Sequence, residues 1–209
     1  LQQPLQSVTG FVRLIMLKYQ AGMDETAHDY LNRIHDAGMR MQRLIQDLLS
    51  YARLGTQERE FHPVDGNQLL EQVVENLQMV IAEKQVSLTH DPLPKLMGNE
   101  TQLLQLFQNL ISNAIKFMHP EVSPQIKISV NRQDRYWQFG IHDNGIGIAP
   151  ENLDRIFEVF QRIHSEKKYP GSGIGLATCR KIVENHGGSI WVDSQLDVGT
   201  TFFFTLTAE

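Results

Sequence analysis

The sequence predicts an α+β chain: a helical hairpin that pairs with a second copy into a four-helix bundle, followed by an α/β sandwich with one sheet and helices on one face. Three observations predict it. Apolar residues recur at heptad steps from Leu1 to Ala52. Strand-like and helix-like patterns then alternate from Phe61 to Leu206. Between the two regions, residues 53–61 form a polar break that contains Gly55.

In the first helix Leu1, Leu5, Val8, Val12, Ile15 and Tyr19 recur at steps of 4, 3, 4, 3 and 4. In the second, Leu31, Ile34, Gly38, Met41, Ile45, Leu48 and Ala52 recur at 3, 4, 3, 4, 3 and 4. Both are heptad seams. Residues 20–26, with Gly22 and Asp24, make the turn between them. A two-helix hairpin leaves its apolar stripes exposed, so pairing two hairpins, and hence a homodimer, follows from the pattern. Pro4 is cheap if the helix begins there and a kink if it begins further upstream. Beyond the break, the patterns predict a strand over 61–64, a helix over 67–83 and a strand over 86–90. A helix over 99–117 precedes strands over 125–131 and 136–142 and a short helix over 150–160. A loop then runs to Ser172, a helix to His186, and strands over 189–194 and 200–206 close the chain as a hairpin.

Composition excludes several functions. The 209 residues suffice for one or two domains with cores of their own. A net charge of −5 and a pI near 5.9 argue against a nucleic-acid footprint, and Trp137 and Trp191 sit inside strand-like runs rather than on a stacking surface. The single cysteine, Cys179, rules out an internal disulfide and fits a reducing, cytoplasmic compartment. No apolar run reaches the ~18 residues of a membrane span; the run over 11–17 is broken by Arg13. The chain opens at Leu1 in mid-pattern, without an initiator methionine, and reads as part of something longer.

The chemistry concentrates in three places. Asp143-Asn144-Gly145-Ile146-Gly147-Ile148 and Gly171-Ser172-Gly173-Ile174-Gly175-Leu176 are glycine turns in which a backbone can lie close to a ligand. Asn109 and Asn113 sit four apart in a helical pattern, so both amides leave one face. An acid beside glycines, paired amides and a second glycine turn opening a helix describe a nucleotide pocket with a metal.

The runs Asn109-Leu-Ile-Ser-Asn113-Ala-Ile-Lys116-Phe117, Asp143-Asn-Gly-Ile-Gly147, Phe157-Glu-Val-Phe160 and Gly171-Ser-Gly-Ile-Gly175-Leu176 resemble the N box, the F box and the two glycine boxes of sensor histidine kinases, in the family's order and spacing. Leu1-Gln2-Gln3-Pro4-Leu5 resembles the second half of the family's His-Glu-Leu-Arg-Thr-Pro-Leu motif, and the segments 186–191 and 199–202 add to the likeness. The Gln-Pro-Leu form and the short loop 164–170 look most like phytochrome-type and related soluble-sensor kinases. The resemblance covers essentially the whole chain. It implies a Bergerat-type ATP-binding fold of the GHKL superfamily and two-component signalling.

By that resemblance Asp143 accepts from the exocyclic amine of adenine while Gly145, Gly147 and Ile148 pass over the base. Asn113 is the Mg²⁺ ligand, a neutral amide oxygen suited to a hard cation already neutralised by phosphates. Lys116 reaches phosphate oxygens. Gly171, Ser172, Gly173, Ile174, Gly175 and Leu176 present a helix N-terminus to the polyphosphate. Lys167 and Lys168 belong to a mobile lid whose cations meet the γ-phosphate. Phe160 and Thr201 complete the ATP-binding set, although Phe157 and Phe160 also read as core residues anchoring the lid's base. Asn109, with Lys116, is assigned to catalysis. Hydrolytic relatives, the gyrase and chaperone ATPases, carry Glu at the place of Asn109; an amide cannot take a proton from water, which favours phosphotransfer.

The family's phosphoacceptor histidine would stand two residues before Leu1, outside this chain. His28-Asp29 and His35-Asp36 imitate it but lack the following motif, and read as a solvated helix face. His142 reads as a strand residue, and His119, His164 and His186 as loop or cap residues without zinc spacing. Cys179 reads as a small core residue. Gln3 stands where many members carry Thr or Asn, which predicts weak phosphatase activity. The expected organisation is a dimerisation and phosphotransfer hairpin over 1–55 and a catalytic ATP-binding domain over 60–209. The expected cofactors are ATP and Mg²⁺. The expected partners are a second copy, a response regulator receiver domain and an upstream sensor domain, with no nucleic acid and no membrane segment. The rival readings are an ATP-driven clamp of the gyrase or chaperone class and a non-catalytic ATP-binding scaffold.

Overall fold

The computed structural model describes residues 2–19, 22–54, 61–163, 169 and 171–208. The chain divides into two compact units, Leu1–Gly55 and Thr56–Glu209. No helix among the described residues is long and apolar enough to cross a membrane.

The first unit is a hairpin of α1 (Gln2–Tyr19) and α2 (Glu25–Arg53). Asp24 starts α2 by accepting the Ala27 N–H on Oδ1 at 2.7 Å, which satisfies one of the first-turn donors. The helices pack tightly at Gly38, where an added Cβ would run into the Thr9 side chain. Thr9 turns its hydroxyl back onto the carbonyls of Leu5 and Gln6 at 3.0 and 3.1 Å, so its methyl faces Gly38. Each heptad seam is split by the packing. Leu5 and Val12 on α1 and Leu31, Gly38 and Ile45 on α2 are at least half-buried. The alternate positions Val8, Ile15, Ile34, Met41 and Leu48 are exposed.

The second unit holds β1 (His62–Asp65), α3 (Gly66–Glu83), β2 (Ser87–His90), β3 (Lys95–Gly98), α4 (Glu100–Lys116), β4 (Gln125–Gln133), β5 (Tyr136–Asp143), α5 (Gly175–Asn185), β6 (Ile190–Gln195) and β7 (Gly199–Thr207). Five strands form a mixed sheet in the order β2-β4-β5-β7-β6, parallel only between β2 and β4. α4 packs against β4 and β5, α5 against β6 and β7, and α3 against α4. The core is centred on Phe107 of α4, whose ring meets Phe139 of β5 and Phe204 of β7 edge-on at 5.6 and 5.5 Å. Phe139 and Phe204 stack on each other at 5.0 Å.

Two expectations are corrected. The structure has two sheets rather than one: β1 pairs antiparallel with β3, Val64 opposite Leu96. β3 is only four residues long and follows Pro92 and Pro94 directly, too short a run for its pattern to stand out in the sequence. The helix expected over 150–160 is a single 3₁₀ turn, Pro150–Asn152, followed by turns closed mostly by i→i−3 hydrogen bonds. Those turns bury the adjacent residues Ile156 and Phe157 together, both 5% exposed or less.

Two N-caps decide where α3 and α4 begin. Asp65 ends β1 and accepts the N–H groups of Asn67 and Gln68; Asn99 accepts the Gln102 N–H at 3.1 Å. Asn99 also donates its own N–H to Nε2 of His186 at 3.1 Å. His186 is therefore neutral with the proton on Nδ1, which donates to the Ile182 carbonyl at 2.8 Å. Its buried ring stacks on Phe61 at 4.6 Å. This is the cap residue expected of it.

Candidate functional site

The site lies where the end of β5, the C-terminal half of α4 and the start of α5 converge. Asp143 is the last residue of β5 and 5% exposed. Its Oδ1 accepts the N–H of Gly145 at 2.9 Å and of Thr200 at 3.3 Å. Both bonds go to one oxygen, which leaves Oδ2 for another donor. Burial pushes the carboxyl up to about 6, against the pull of the two N–H groups.

The turn after Asp143 is fastened to its neighbours by backbone bonds. Ile146 donates to the Phe117 carbonyl at 2.9 Å and accepts from Asp197 at 2.8 Å. Ile148 donates to Ser194 Oγ at 2.9 Å, and that hydroxyl also meets Thr200 Oγ1 at 2.9 Å. Gly147 has φ +67°, and a Cβ there would run into the Gln195 carbonyl. At Gly145 a Cβ would meet the Phe117 carbonyl. Glycine is needed at both positions by the protein's own backbone.

On α4, Asn109, Asn113 and Lys116 are each half-buried along one stripe. Asn109 Nδ2 donates to the Gly175 carbonyl at 3.4 Å. Among the described residues no hydrogen bond holds the Asn113 carboxamide. The Lys116 ammonium lies 4.4 Å from the centre of the Phe117 ring and reaches the second glycine turn, where a Cβ on Gly171 would be 2.9 Å from Nζ. Burial, and next the nearby Arg162 guanidinium, lower the Lys116 pKa. Two cations thus share a half-buried place, which favours an anion between them.

In the second turn Ser172 Oγ accepts the Ile174 N–H at 3.3 Å and the Gly173 carbonyl accepts the Phe160 N–H at 3.0 Å. Gly173 has φ +75° and a Cβ would sit 2.9 Å from the Gln161 carbonyl. Ile174 is buried and directly precedes α5, whose first turn, with half-exposed Gly175 and Leu176, has no side-chain cap. Its N–H groups and the positive end of the helix dipole remain for a ligand.

Lys167 and Lys168 lie outside the described residues, as does His164. Two further placements differ from the sequence reading. Thr201 faces the other side of the sheet, where its hydroxyl meets His142 Nδ1 at 2.9 Å; Thr200 is the one at Asp143, because side chains alternate along β7. Phe160 is 56% exposed with φ +65°, so only Phe157, 5% exposed, is a core residue. Cys179 is fully buried, and burial pushes its thiol up to about 12. No group of His, Cys, Asp or Glu among the described residues could by itself hold a metal ion.

Arg162, Tyr169, Ser194 and Thr200 were missed in the sequence. Tyr169 donates its hydroxyl to the Met118 carbonyl at 3.4 Å, its ring lies 5.0 Å from that of Phe117, and its carbonyl accepts from Arg162 at 3.4 Å. The nearness of Arg162 to Phe160 was the only signal, and nothing in the sequence pairs Ser194 or Thr200 with Asp143.

Residues 98–209 match the family described as histidine kinase-, DNA gyrase B- and HSP90-like ATPase, and residues 1–57 match the His kinase A phospho-acceptor domain. The chain belongs to the sensor histidine kinase family, as a core in which a phospho-acceptor-type hairpin precedes a GHKL-type ATP-binding domain. It is 46% identical over 206 residues to cyanobacterial phytochrome A of Nostoc sp. (strain PCC 7120), covering 99% of this chain and 27% of that protein. It is 30% identical over 217 residues to the sensor protein kinase WalK of Staphylococcus aureus, covering 100% of this chain and 51% of that protein. The chain thus spans about a quarter of the phytochrome and half of the WalK sequence. In structure it is similar to full-length ShkA in complex with AMPPNP, with a TM-score of 0.74 and 30% identity over 99% of this chain and 44% of that one. The fold is also shared with histidine kinase ThkA in complex with response regulator TrrA, with a TM-score of 0.69, 20% identity and coverage of 99% and 59%.

Proposed function

We propose that this chain binds ATP with Mg²⁺ in the site described, and that the γ-phosphoryl group passes to a histidine on the hairpin helix and then to an aspartate of a response regulator. The observation that carries the reading is Asp143: a buried carboxylate with one oxygen bonded to backbone and the other left for an amino group of a base. ShkA, the full-length relative in structure, was solved with an ATP analogue.

The geometry supports the following roles. Asp143 reads the exocyclic amine of adenine, while Gly145, Gly147 and Ile148 hold the turn flat against the base. The uncapped N-terminus of α5, with Gly171, Ser172 and Gly173 before it, receives the polyphosphate. Lys116 and Arg162 neutralise it, and the role expected of Lys167 and Lys168 falls outside the described residues. The donor set fits Mg²⁺ held largely by phosphates: one half-buried amide, Asn113, and no carboxylate cage among the described residues. When bound there, the ion supplies charge neutralisation at the transferred group. Asn109 stands where hydrolytic relatives have a base and cannot take a proton from water, so the phosphoryl group is kept for another nucleophile.

The domains we assign are a dimerisation hairpin over 1–55 and a catalytic domain over 60–209. The exposed positions Ile34, Met41 and Leu48 support a homodimer. A receiver domain is the second partner, an upstream sensor domain completes the protein, and the cytoplasm is its compartment. Titration with a fluorescent ATP analogue tests the site: Asp143→Asn should weaken binding by about a hundredfold, and unchanged affinity would remove the pocket from consideration. Acid-labile phosphohistidine in the full-length protein tests the transfer; ATP binding without it would favour a scaffold, and steady turnover without an acceptor a clamp.

A further inference from the structure

The contact between α4 and α5 is marked at each end by a hydrogen bond. Asn99 N–H meets His186 at one end, and Asn109 Nδ2 meets the Gly175 carbonyl at the other. The second bond falls on the first turn of α5, where Ile174 offers no side-chain cap. An added Cβ on Gly175 would lie 3.9 Å from both Cγ and Oδ1 of Asn109, at ordinary contact distance, so the carboxamide faces this glycine with room for a methyl group between them. One turn along the same face of α5, the Cys179 thiol faces the Leu106 carbonyl of α4 at 3.9 Å. The amide bridge at Gly175 and the thiol contact at Cys179 thus lie one turn apart on the same face of α5.

We infer that Asn109 is a positioning residue as well as the occupant of the base position: its N–H holds the first turn of α5 in register with α4. This deepens the ATP reading and rests on it for its consequence, because that turn is the one assigned to phosphate. It also supplies a second physical reason for an amide at 109. A carboxylate there would set an oxygen against the Gly175 carbonyl oxygen with no hydrogen between them, and the turn would be pushed off rather than held.

Amide hydrogen exchange on the nucleotide-free chain tests the tie without any ligand. In Asn109→Asp, which keeps the shape and loses the donor, the N–H groups of Thr178 and Cys179 should exchange about fivefold to tenfold faster, with β5 unchanged. Asn109→Gln, which keeps the donor, should recover most of the protection, and Asn113→Asp should leave the turn as it was. Should Asn109→Asp not fold, Asn109→Ala is read in the same way. Unchanged exchange at α5 overturns the inference even if ATP binds. A parallel titration uses ADP with magnesium chelated. Asn109→Asp should weaken ADP as much as it weakens ATP with Mg²⁺, and a loss confined to ATP with Mg²⁺ also overturns the inference. A wild-type chain that binds no adenine nucleotide would end the ATP reading, while the exchange rates still decide the tie.

Discussion

Thr200 donates its backbone N–H to the carboxylate of Asp143 at 3.3 Å, across 57 residues of chain. The bond joins the start of β7 to the end of β5, whose ladder sets the two residues opposite each other. It explains how an acid 5% exposed can be held at a strand end by backbone donors.

Burial of this carboxylate works against its charge. The folded-state pKa of Asp143, about 6, lies above its ordinary 3.8. The stability linked to its proton is therefore complete below 3.8 and lost as pH rises through about 6. Asp143→Asn keeps an oxygen for Gly145 and Thr200 but carries no charge. Urea melts of the nucleotide-free variant above pH 6 should show a gain on the order of 1–3 kcal/mol. The gain should vanish below pH 3.8, and equal stability throughout would contradict the buried-charge account.

On the proposed role of Asp143, nucleotide affinity should run the opposite way with pH, because the amine of adenine would pair with the ionised carboxylate. In the wild-type chain it should fall as pH drops through about 6, by up to roughly tenfold per pH unit below that. The Asp143→Asn variant should be weak and flat over the same range. Fluorescent-analogue titrations across pH check both curves.

The glycines divide into two kinds. Gly147, with φ +67° and the Gln195 carbonyl in the way, is required by the fold; Gly147→Ala should cost about 1–3 kcal/mol and disorder the turn. Gly175 is helical and its Cβ would meet nothing closer than 3.9 Å. Gly175→Ala should therefore leave the melting temperature unchanged or slightly higher while cutting ATP affinity. Calorimetry beside titration separates the two, and a large loss of stability at Gly175 would refute the distinction.

The hairpin's exposed seam predicts its assembly. Ile34 and Met41 are 48% and 50% exposed within one copy, so charges there should leave the hairpin folded but unable to pair. Light scattering of the Ile34→Asp, Met41→Asp double variant should report a monomer. A persisting dimer would place the interface elsewhere.

Gln102 marks a defect in the α4 core. It is 6% exposed, and its Oε1 is buried with no hydrogen-bond partner among the described residues. Gln102→Met, similar in size and without that oxygen, should raise stability by about 1 kcal/mol in urea denaturation. A loss of that size would mean that the oxygen has a bound water or another partner.

Much of this protein can be read from local pattern alone. The heptad steps, the helix stripe carrying Asn109, Asn113 and Lys116, and the glycine turns around Gly147 and Gly173 are properties of neighbours in sequence. Period, spacing and backbone freedom act over a few residues, so the kind of fold and the kind of site were legible there. Tertiary structure decided what depends on meetings between distant segments. It paired β1 with the unexpected β3, set Thr200 rather than Thr201 against Asp143, and brought Arg162 beside Lys116. It also turned Phe160 outward and laid Asn109 on Gly175. The physical reason is shared by all of these. Which face a strand presents, which cation meets which, and which carbonyl an amide finds are fixed by register and packing between segments far apart in the chain, and no local pattern encodes them.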